Sequence, residues 1–214
     1  MAAKTYDRQT AKFLAVVGEN MPELSGDTMQ RWIQDPKAVQ KALYNAFCSP
    51  EAATSRFKIW TTIKLGTGIK TVDEFYEALE NNGFNMTSPA NGILRRPAFT
   101  VANEETEVDL IKITVAELGF KESTQSDQIY ERAKDLGFDL CPPEVGPQLR
   151  LQYQNQPKGE QVYIGMEPII NSDGSPNVFY IDHTNLGLWL GSAWHYREDI
   201  RRLNSLWVFV RPRK

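Results

Sequence analysis

The sequence predicts an α+β protein with a helical N-terminal segment, two tandem helix–helix–β-hairpin units and a C-terminal antiparallel meander. Three observations lead to this prediction. Apolar residues recur at helical spacing before residue 50, the period changes to that of strands near Phe57, and one helix–glycine pattern occurs twice. A chain of 214 residues is long enough for one large domain or two small ones, each with its own apolar core.

The helical N-terminal segment is predicted over residues 1–50. An apolar stripe between Phe13 and Val17 follows Asp7, a residue type favoured at the start of a helix. Asp35-Pro36 is a second helix-start signal, because proline is well suited to the first helical position. The small and polar stretch "CSPEAATS" is then the best linker in the chain, so a separate α+β domain is predicted over residues 56–214.

The two helix–helix–hairpin units are predicted at about 57–115 and 116–169. In the first unit, "KIWTTIKLG" alternates as a strand should, and Thr71 with Glu74 forms a capping box at the start of a helix. A separation of 54 residues relates Gly83 to Gly137 and several further pairs: Tyr76 and Tyr130, Phe84 and Phe138, Pro89 and Pro143, Arg96 and Arg150. The sequence therefore predicts an internal repeat, although any two helix–glycine–strand stretches share such features.

The C-terminal strands are predicted over residues 177–212. Turn sequences such as "NSDGSP" and "HTNLG" separate apolar runs, and the chain closes with the run "LWVFV". Because successive runs are joined by short turns, the pattern favours an antiparallel meander.

Composition and charge argue against several classes of function. A net charge of −3 gives no electrostatic footprint for bulk nucleic acid or for an anionic membrane. Cys48 and Cys141 are far apart and lack the spacing of a zinc site, so neither a metal nor another cofactor is predicted. The apolar run from Phe13 to Val17 is too short for a signal peptide or a spanning helix, so we expect a cytoplasmic protein.

The sequence contains one weak candidate for a catalytic site. No phosphate loop, nucleophile elbow or zinc-protease motif is present, and no catalytic residue is assigned, which favours a protein that is not an enzyme. The alternative is a metal-independent hydrolase or transferase around His183 and His195, with Glu198 close in sequence, since a histidine oriented by a carboxylate can act as a general base.

A second alternative is a DNA-binding regulator with tandem winged-helix-like units. Its phosphate contacts would come from Arg95, Arg96 and Arg150, which lie near the ends of the predicted second helices. The local charge argues against it, because residues 116–170 contain nine acidic and five basic side chains.

Aromatic residues are concentrated near the C-terminus and are the predicted protein-contact residues: Tyr180, Trp189, Trp194, Tyr196 and Trp207. Tryptophan and tyrosine dominate the energetics of many interfaces, although the same rings can fill the core of a small sheet. The function predicted from the sequence is a non-enzymatic binding or scaffold protein, acting through protein–protein contacts with a partner or with a second copy of itself.

Several stretches resemble a family of bacterial proteins of unknown function. They include "MPELSGDTMQRWIQDPKAVQKAL", "IKLGTGIKTVDEFYEAL", "ETEVDLIKITVAELGF", "IYERAKDLGFDLCPPEVGPQLRLQY" and "LWVFVRPRK". The resemblance extends from about Met21 to the C-terminus. It implies a bacterial cytoplasmic protein and supplies no catalytic or ligand-binding residues.

Overall fold

The computed structural model describes residues 8–19, 23, 25–37, 39 and 57–213. The chain divides into two compact units, residues 1–47 and 48–214. In the first unit, helix α1 spans Arg8–Glu19 and helix α2 spans Gly26–Gln34. The Oγ atom of Ser25 accepts a hydrogen bond from the Thr28 N–H at 3.3 Å, as an N-terminal cap does. The predicted helix cap at Asp7, the linker at 48–55 and the domain boundaries at residues 50 and 56 lie outside the described residues.

The second unit contains four helices and ten strands within residues 57–213. The helices are α3 (Val72–Asn81), α4 (Ser88–Leu94), α5 (Ser126–Asp135) and α6 (Val145–Gln152). The first five strands are β1 (Thr61–Leu65), β2 (Asn85–Met86), β3 (Thr106–Thr114), β4 (Thr124–Gln125) and β5 (Gln161–Ile164). The last five are β6 (Ile169–Ile170), β7 (Pro176–Thr184), β8 (Gly187–Trp194), β9 (Ile200–Arg201) and β10 (Leu206–Arg211).

The main sheet is mixed, with the strand order β1-β3-β10-β5-β7-β8-β2 and with β6 added beside β7. The pairs β10–β5 and β8–β2 are parallel, and the other pairs are antiparallel. Strands β4 and β9 form a separate two-stranded sheet. The last strand of the chain therefore lies inside the main sheet, between β3 and β5.

The predicted fold class is wrong. The second unit is a mostly-sheet fold built on a curled mixed sheet, not a pair of helix–helix–hairpin units. Residues 97–105 form no strand, and β3 pairs with β1 and β10 instead of closing a hairpin. The C-terminal meander is also wrong, because β10 leaves its sequence neighbours and pairs parallel to β5. The prediction assumed that consecutive strands pair, whereas this sheet depends on pairings between distant segments.

The pattern that suggested a repeat specifies two similar helix ends. The N–H groups of Gly83 and Phe84 donate to carbonyls of α3, and those of Gly137 and Phe138 donate in the same way to α5, at 2.9–3.0 Å. Both glycines have a positive φ, 71° and 80°, which closes a helix at little steric cost. Beyond these helix ends the two segments differ: β2 joins β8 as a parallel strand, whereas Asp139 makes a single antiparallel bridge to Val210. The shared pattern encodes a helix cap, so a repeated domain is unsupported.

The sheet has an apolar core on each face. Along β10, Trp207 and Phe209 belong to one buried cluster, and Val208 between them belongs to the other. This alternation follows from the period of two in a strand. Helices α3, α4 and α6 cover the face that contains Val208, and helix α5 covers the opposite face.

A polar ladder on α6 fastens this helix to the edge strand β1. The carboxylate of Glu144, one residue before α6, accepts hydrogen bonds from the N–H groups of Gly66 and Ala102, both at 2.7 Å. Gln148 donates to Glu144 and to Thr67, and Gln152 bonds the backbone of Lys64. The three ladder residues, Glu144, Gln148 and Gln152, are four residues apart and therefore share one face of the helix.

Candidate functional site

The five predicted contact residues do not form one surface. Trp207 is fully buried, Tyr180 and Trp189 are half-buried, and Trp194 and Tyr196 have exposed fractions of 65% and 42%. Trp207 and Tyr180 are linked through Tyr163, whose ring centroid lies 5.1 Å from that of Trp207 and 6.0 Å from that of Tyr180. Trp207 is thus a core residue, and only Trp194 and Tyr196 are freely accessible.

The two accessible rings lie on the segment that runs from the last residue of β8 through β9, residues 194–201. This segment, the 194–201 loop, is held firmly against the rest of the second unit. The guanidinium of Arg201 donates to the Trp194 carbonyl at 2.8 Å and to Ser126 Oγ at 3.1 Å. Carbonyl groups of the loop accept from the first N–H groups of α5, those of Ser126 and Asp127, at 3.0 and 3.2 Å. Because the loop caps a helix and its two ends are tied by Arg201, its exposed side chains are presented on a rigid support.

His195 is the buried anchor of the 194–201 loop. Its ring is 4% exposed and stacks on Tyr130 of α5 with a centroid distance of 4.7 Å. Burial, and next the nearby Arg201 cation, lower the pKa of His195 to about 4, so the ring is neutral near pH 7. Within the described residues its Nδ1 atom has no hydrogen-bond partner, and the same holds for Nε1 of Trp207. The hydrolase alternative used His195 as a general base; in the structure its ring packs against Tyr130 and Trp207.

Beside the loop, the α5 cleft has a volume of about 260 Å³. Tyr130, Phe138 and Leu140 supply its apolar lining. The charged side chains around it are four acids and two bases: Asp127, Glu131, Asp139, Glu167, Lys134 and Arg197. The cleft is therefore acidic, and Arg197 connects it to the loop through a 3.9 Å contact with Asp127.

A second cleft, the α3 cleft, lies where α3 ends and β2 begins, and has a volume of about 350 Å³. Its lining comes from α3, β2 and β8 and exposes more polar than apolar surface: Tyr76, Leu79, Glu80, Gly83, Phe84, Asn85, Met86 and Trp189. Tyr76 has an exposed fraction of 42%, so one aromatic wall is open to solvent. Of these residues, only Trp189 was predicted from the sequence as a contact residue.

The structure does not bring together the residues of the hydrolase alternative. His183 lies on β7, with its Nδ1 atom 2.6 Å from the Gln156 carbonyl oxygen, on the same strand face as the buried Ile181. His195 packs against Trp207 on the opposite face of the sheet. Glu198 is exposed. Cys141 is buried, and burial raises the pKa of its thiol, so it is not an activated nucleophile. Cys48 lies outside the described residues.

The arginines of the DNA-binding alternative also do not form a common patch. Arg95 pairs with Asp73 at 2.9 Å, and Nε of Arg96 donates to the Ile170 carbonyl at 3.0 Å. Arg150 is fully buried and donates to Gln156 and to the Tyr153 carbonyl, while burial lowers the pKa of its guanidinium to about 10. Because the winged-helix-like units are not formed, this alternative has also lost its structural basis.

A half-buried ion pair that sequence analysis missed links β3 to the start of β5. Lys112 Nζ lies 2.5 Å from a Glu160 carboxylate oxygen and 4.5 Å from the ring centroid of Trp60. The Tyr153 hydroxyl donates to Glu160 at 3.1 Å, and burial together with Glu160 raises the pKa of this hydroxyl to about 12. Both Glu160 oxygens are thus engaged within the protein, which is typical of a structural pair.

Comparisons with known proteins supply no function. No protein-family model, no curated protein and no solved structure matches the chain. The described residues contain no helix long and apolar enough to cross a membrane. They also contain no group of three or more metal-ligating side chains suited to a metal ion. A function for the chain must therefore be inferred from its surfaces.

Proposed function

We propose that the protein is a non-enzymatic binding protein that acts through protein–protein contacts, with the 194–201 loop as its contact surface. One observation carries the proposal: Trp194 and Ile200 have exposed fractions of 65% and 63% at the two ends of a loop tied by Arg201. As part of the same proposal the protein works in the bacterial cytoplasm, as the resemblance of its sequence implies.

The physical reason is the combination of exposed apolar area with rigidity. Large aromatic side chains supply much of the binding energy at interfaces when a partner removes them from water. Side chains on a rigid loop lose less conformational entropy on binding than those on a flexible one. The hydrogen bonds of Arg201 and the capping of α5 supply this rigidity.

The α5 cleft indicates the chemistry of the partner. Its four acids against two bases favour a partner that carries basic side chains beside apolar ones. In a symmetric dimer through the loop, the acidic clefts of the two copies would approach each other, which disfavours a second copy. The expected partner is therefore a different protein with a basic, partly apolar surface.

The test is site-specific photo-crosslinking from the full-length chain in bacterial cells. A benzoylphenylalanine residue replaces Trp194 in one variant and Leu186 in the control, because Leu186 is also highly exposed, at 79%, on the turn between β7 and β8. We expect a discrete protein adduct from position 194 and none from position 186. With the purified partner, Trp194→Ala should weaken binding by about tenfold or more, as hot-spot residues do.

Equal adducts from both positions, or none from position 194, would contradict the proposal. An adduct of the chain with itself would replace the predicted partner with a homo-oligomer.

A further inference from the structure

The edge strand β2 offers unpaired backbone groups. The Thr87 N–H donates to the Leu190 carbonyl at 3.0 Å, and Met86 is the register partner of Leu190. In a parallel pair, Leu190 then bonds the residues on either side of Met86, so the N–H and C=O of Met86 point away from β8. Within residues 57–213, neither backbone group of Met86 has a hydrogen-bond partner. The sheet can therefore be extended at this residue.

The α3 cleft adjoins this free edge, because Met86 lines it. Its volume of about 350 Å³ lies at the lower end of the roughly 300–1,000 Å³ of ligand pockets. Such a cleft is small for a cofactor but has room for one large side chain against the rings of Tyr76 and Trp189. Unpaired backbone groups and an adjacent side-chain pocket are the two parts of a site for β-strand addition.

The charge of α3 selects the kind of strand. The helix contains four acidic residues and no lysine or arginine. Asp73 pairs with Arg95, and Glu74 closes the capping box with Thr71. Glu77 and Glu80 are exposed and make no ion pair with the rest of the described chain. Glu80 lines the α3 cleft itself, so a basic side chain in the docked segment is favoured.

We propose that the β2 edge binds an extended basic peptide segment of another protein by β-strand addition. The segment exchanges backbone hydrogen bonds with Met86, inserts a large side chain against the rings of Tyr76 and Trp189 in the α3 cleft, and sets a lysine or arginine against Glu80. The site is distinct from the 194–201 loop and does not depend on the proposed function, since Trp194→Ala should leave peptide binding unchanged.

The probe is the acetylated and amidated heptapeptide Lys-Val-Lys-Phe-Lys-Val-Lys, titrated against the full-length protein by calorimetry. Two N-methylated forms remove the backbone donors from one edge of the peptide strand each. We expect that one N-methylated form loses about tenfold or more in affinity, whereas the other keeps the affinity of the parent peptide. Hydrogen exchange of the Met86 amide should slow in the complex.

Two charge reversals locate the site. Glu80→Lys should weaken binding by about tenfold, because it sets a repulsive charge beside the cleft. Glu131→Lys is the matched control, since it makes the same change on an exposed position of α5 in the acidic α5 cleft. It should alter the affinity by less than about twofold.

Four results would overturn the proposal. In the titrations, these are that no peptide form binds at about 1 mM, or that both N-methylated forms bind like the parent peptide. The others are that Glu131→Lys weakens binding as much as Glu80→Lys, or that sedimentation shows a second copy of the chain at the β2 edge.

Discussion

The two edge strands of the main sheet, β1 and β2, differ in the hydrogen bonding of their outward-facing backbone groups. At β1, the Lys64 N–H donates to the side-chain oxygen of Gln152 at 2.9 Å, and the Lys64 carbonyl accepts from the same amide at 2.8 Å. This side chain bonds the edge as a further strand would. At β2, the corresponding groups of Met86 have no partner within residues 57–213. An unpaired edge promotes association with other chains. The β1 edge is therefore protected, and the β2 edge is accessible.

The protected edge is part of the structural framework. Gln152 belongs to the polar ladder of α6, and Glu144 at the other end of the ladder fixes the turn after β1. Gly66 in that turn has φ of 64°, and a Cβ atom there would lie 2.2 Å from the Glu104 carbonyl oxygen, so only glycine fits. The accessible edge has two residues and adjoins a cleft. Substitutions at the β1 edge should therefore mainly lower stability, whereas substitutions at the β2 edge should mainly weaken peptide binding.

The largest expected effect is at the ladder. Glu144→Ala leaves the half-buried N–H groups of Gly66 and Ala102 without their charged acceptor, and should lower the free energy of unfolding by about 3 kcal/mol. Urea denaturation measures the loss, and Glu77→Ala on the exposed face of α3 is the control with a change below about 0.5 kcal/mol. A loss below about 1 kcal/mol for Glu144→Ala would mean that the ladder does not hold this edge.

Acidification should act on the 194–201 loop through His195. His195 has its pKa lowered to about 4 in the folded protein, against about 6.5 when unfolded, so its contribution is complete above pH 6.5 and is lost as the pH falls towards 4. The contribution that disappears is about 3 kcal/mol. Denaturation at several pH values measures it. His195→Phe should flatten this part of the profile, whereas His183→Asn should retain it, and the same slope in both variants would contradict the assignment.

Opening the protected edge should have a moderate effect. Gln152→Ala removes two hydrogen bonds from Lys64 and should cost about 1–2 kcal/mol of unfolding free energy. It also exposes the β1 backbone, so concentration-dependent association should appear in sedimentation velocity. Gln154→Ala is the matched control, because the Gln154 side chain is exposed and, within residues 57–213, bonds only the Leu151 carbonyl. A variant that stays monomeric and fully stable would show that Gln152 does not guard the edge.

The smallest effect on stability is expected at the accessible edge, and it has the opposite sign. Glu80 lies in the last turn of α3, where a positive charge is preferred, so Glu80→Lys should stabilise the fold by about 0.3–0.5 kcal/mol. Thermal and urea denaturation measure the gain. Because the same substitution should weaken peptide binding, stability and binding would be separated at one residue. A destabilised Glu80→Lys variant would indicate instead that Glu80 has a structural partner.

Local features of the fold could be predicted from the sequence, and long-range ones could not. The capping box of Thr71 and Glu74 and the glycines that end α3 and α5 depend on neighbouring residues, and the structure contains them. The sheet order depends on β10 meeting β3 and β5, and β2 meeting β8, and no local pattern records those pairings. The sequence therefore predicts these helix ends correctly but combines them into the wrong architecture.

The same limit applies to the candidate sites. Trp194 and Tyr196 were predicted as contact residues and are exposed, but Trp207 is buried because α5 covers its face of the sheet. The residues that complete the surfaces, Arg201 and Met86, gave no signal, since their roles depend on which elements adjoin them. The polar ladder could have been found, because Glu144, Gln148 and Gln152 recur at the spacing of one helical face.

The most direct test of the difference between the two edges is hydrogen exchange of two backbone amides in the free protein, measured by NMR. We expect that the Lys64 amide is protected and becomes labile in Gln152→Ala, whereas the Met86 amide exchanges almost as fast as in an unstructured peptide. Equal protection of the two amides in the free protein would contradict the distinction between a closed and an open edge.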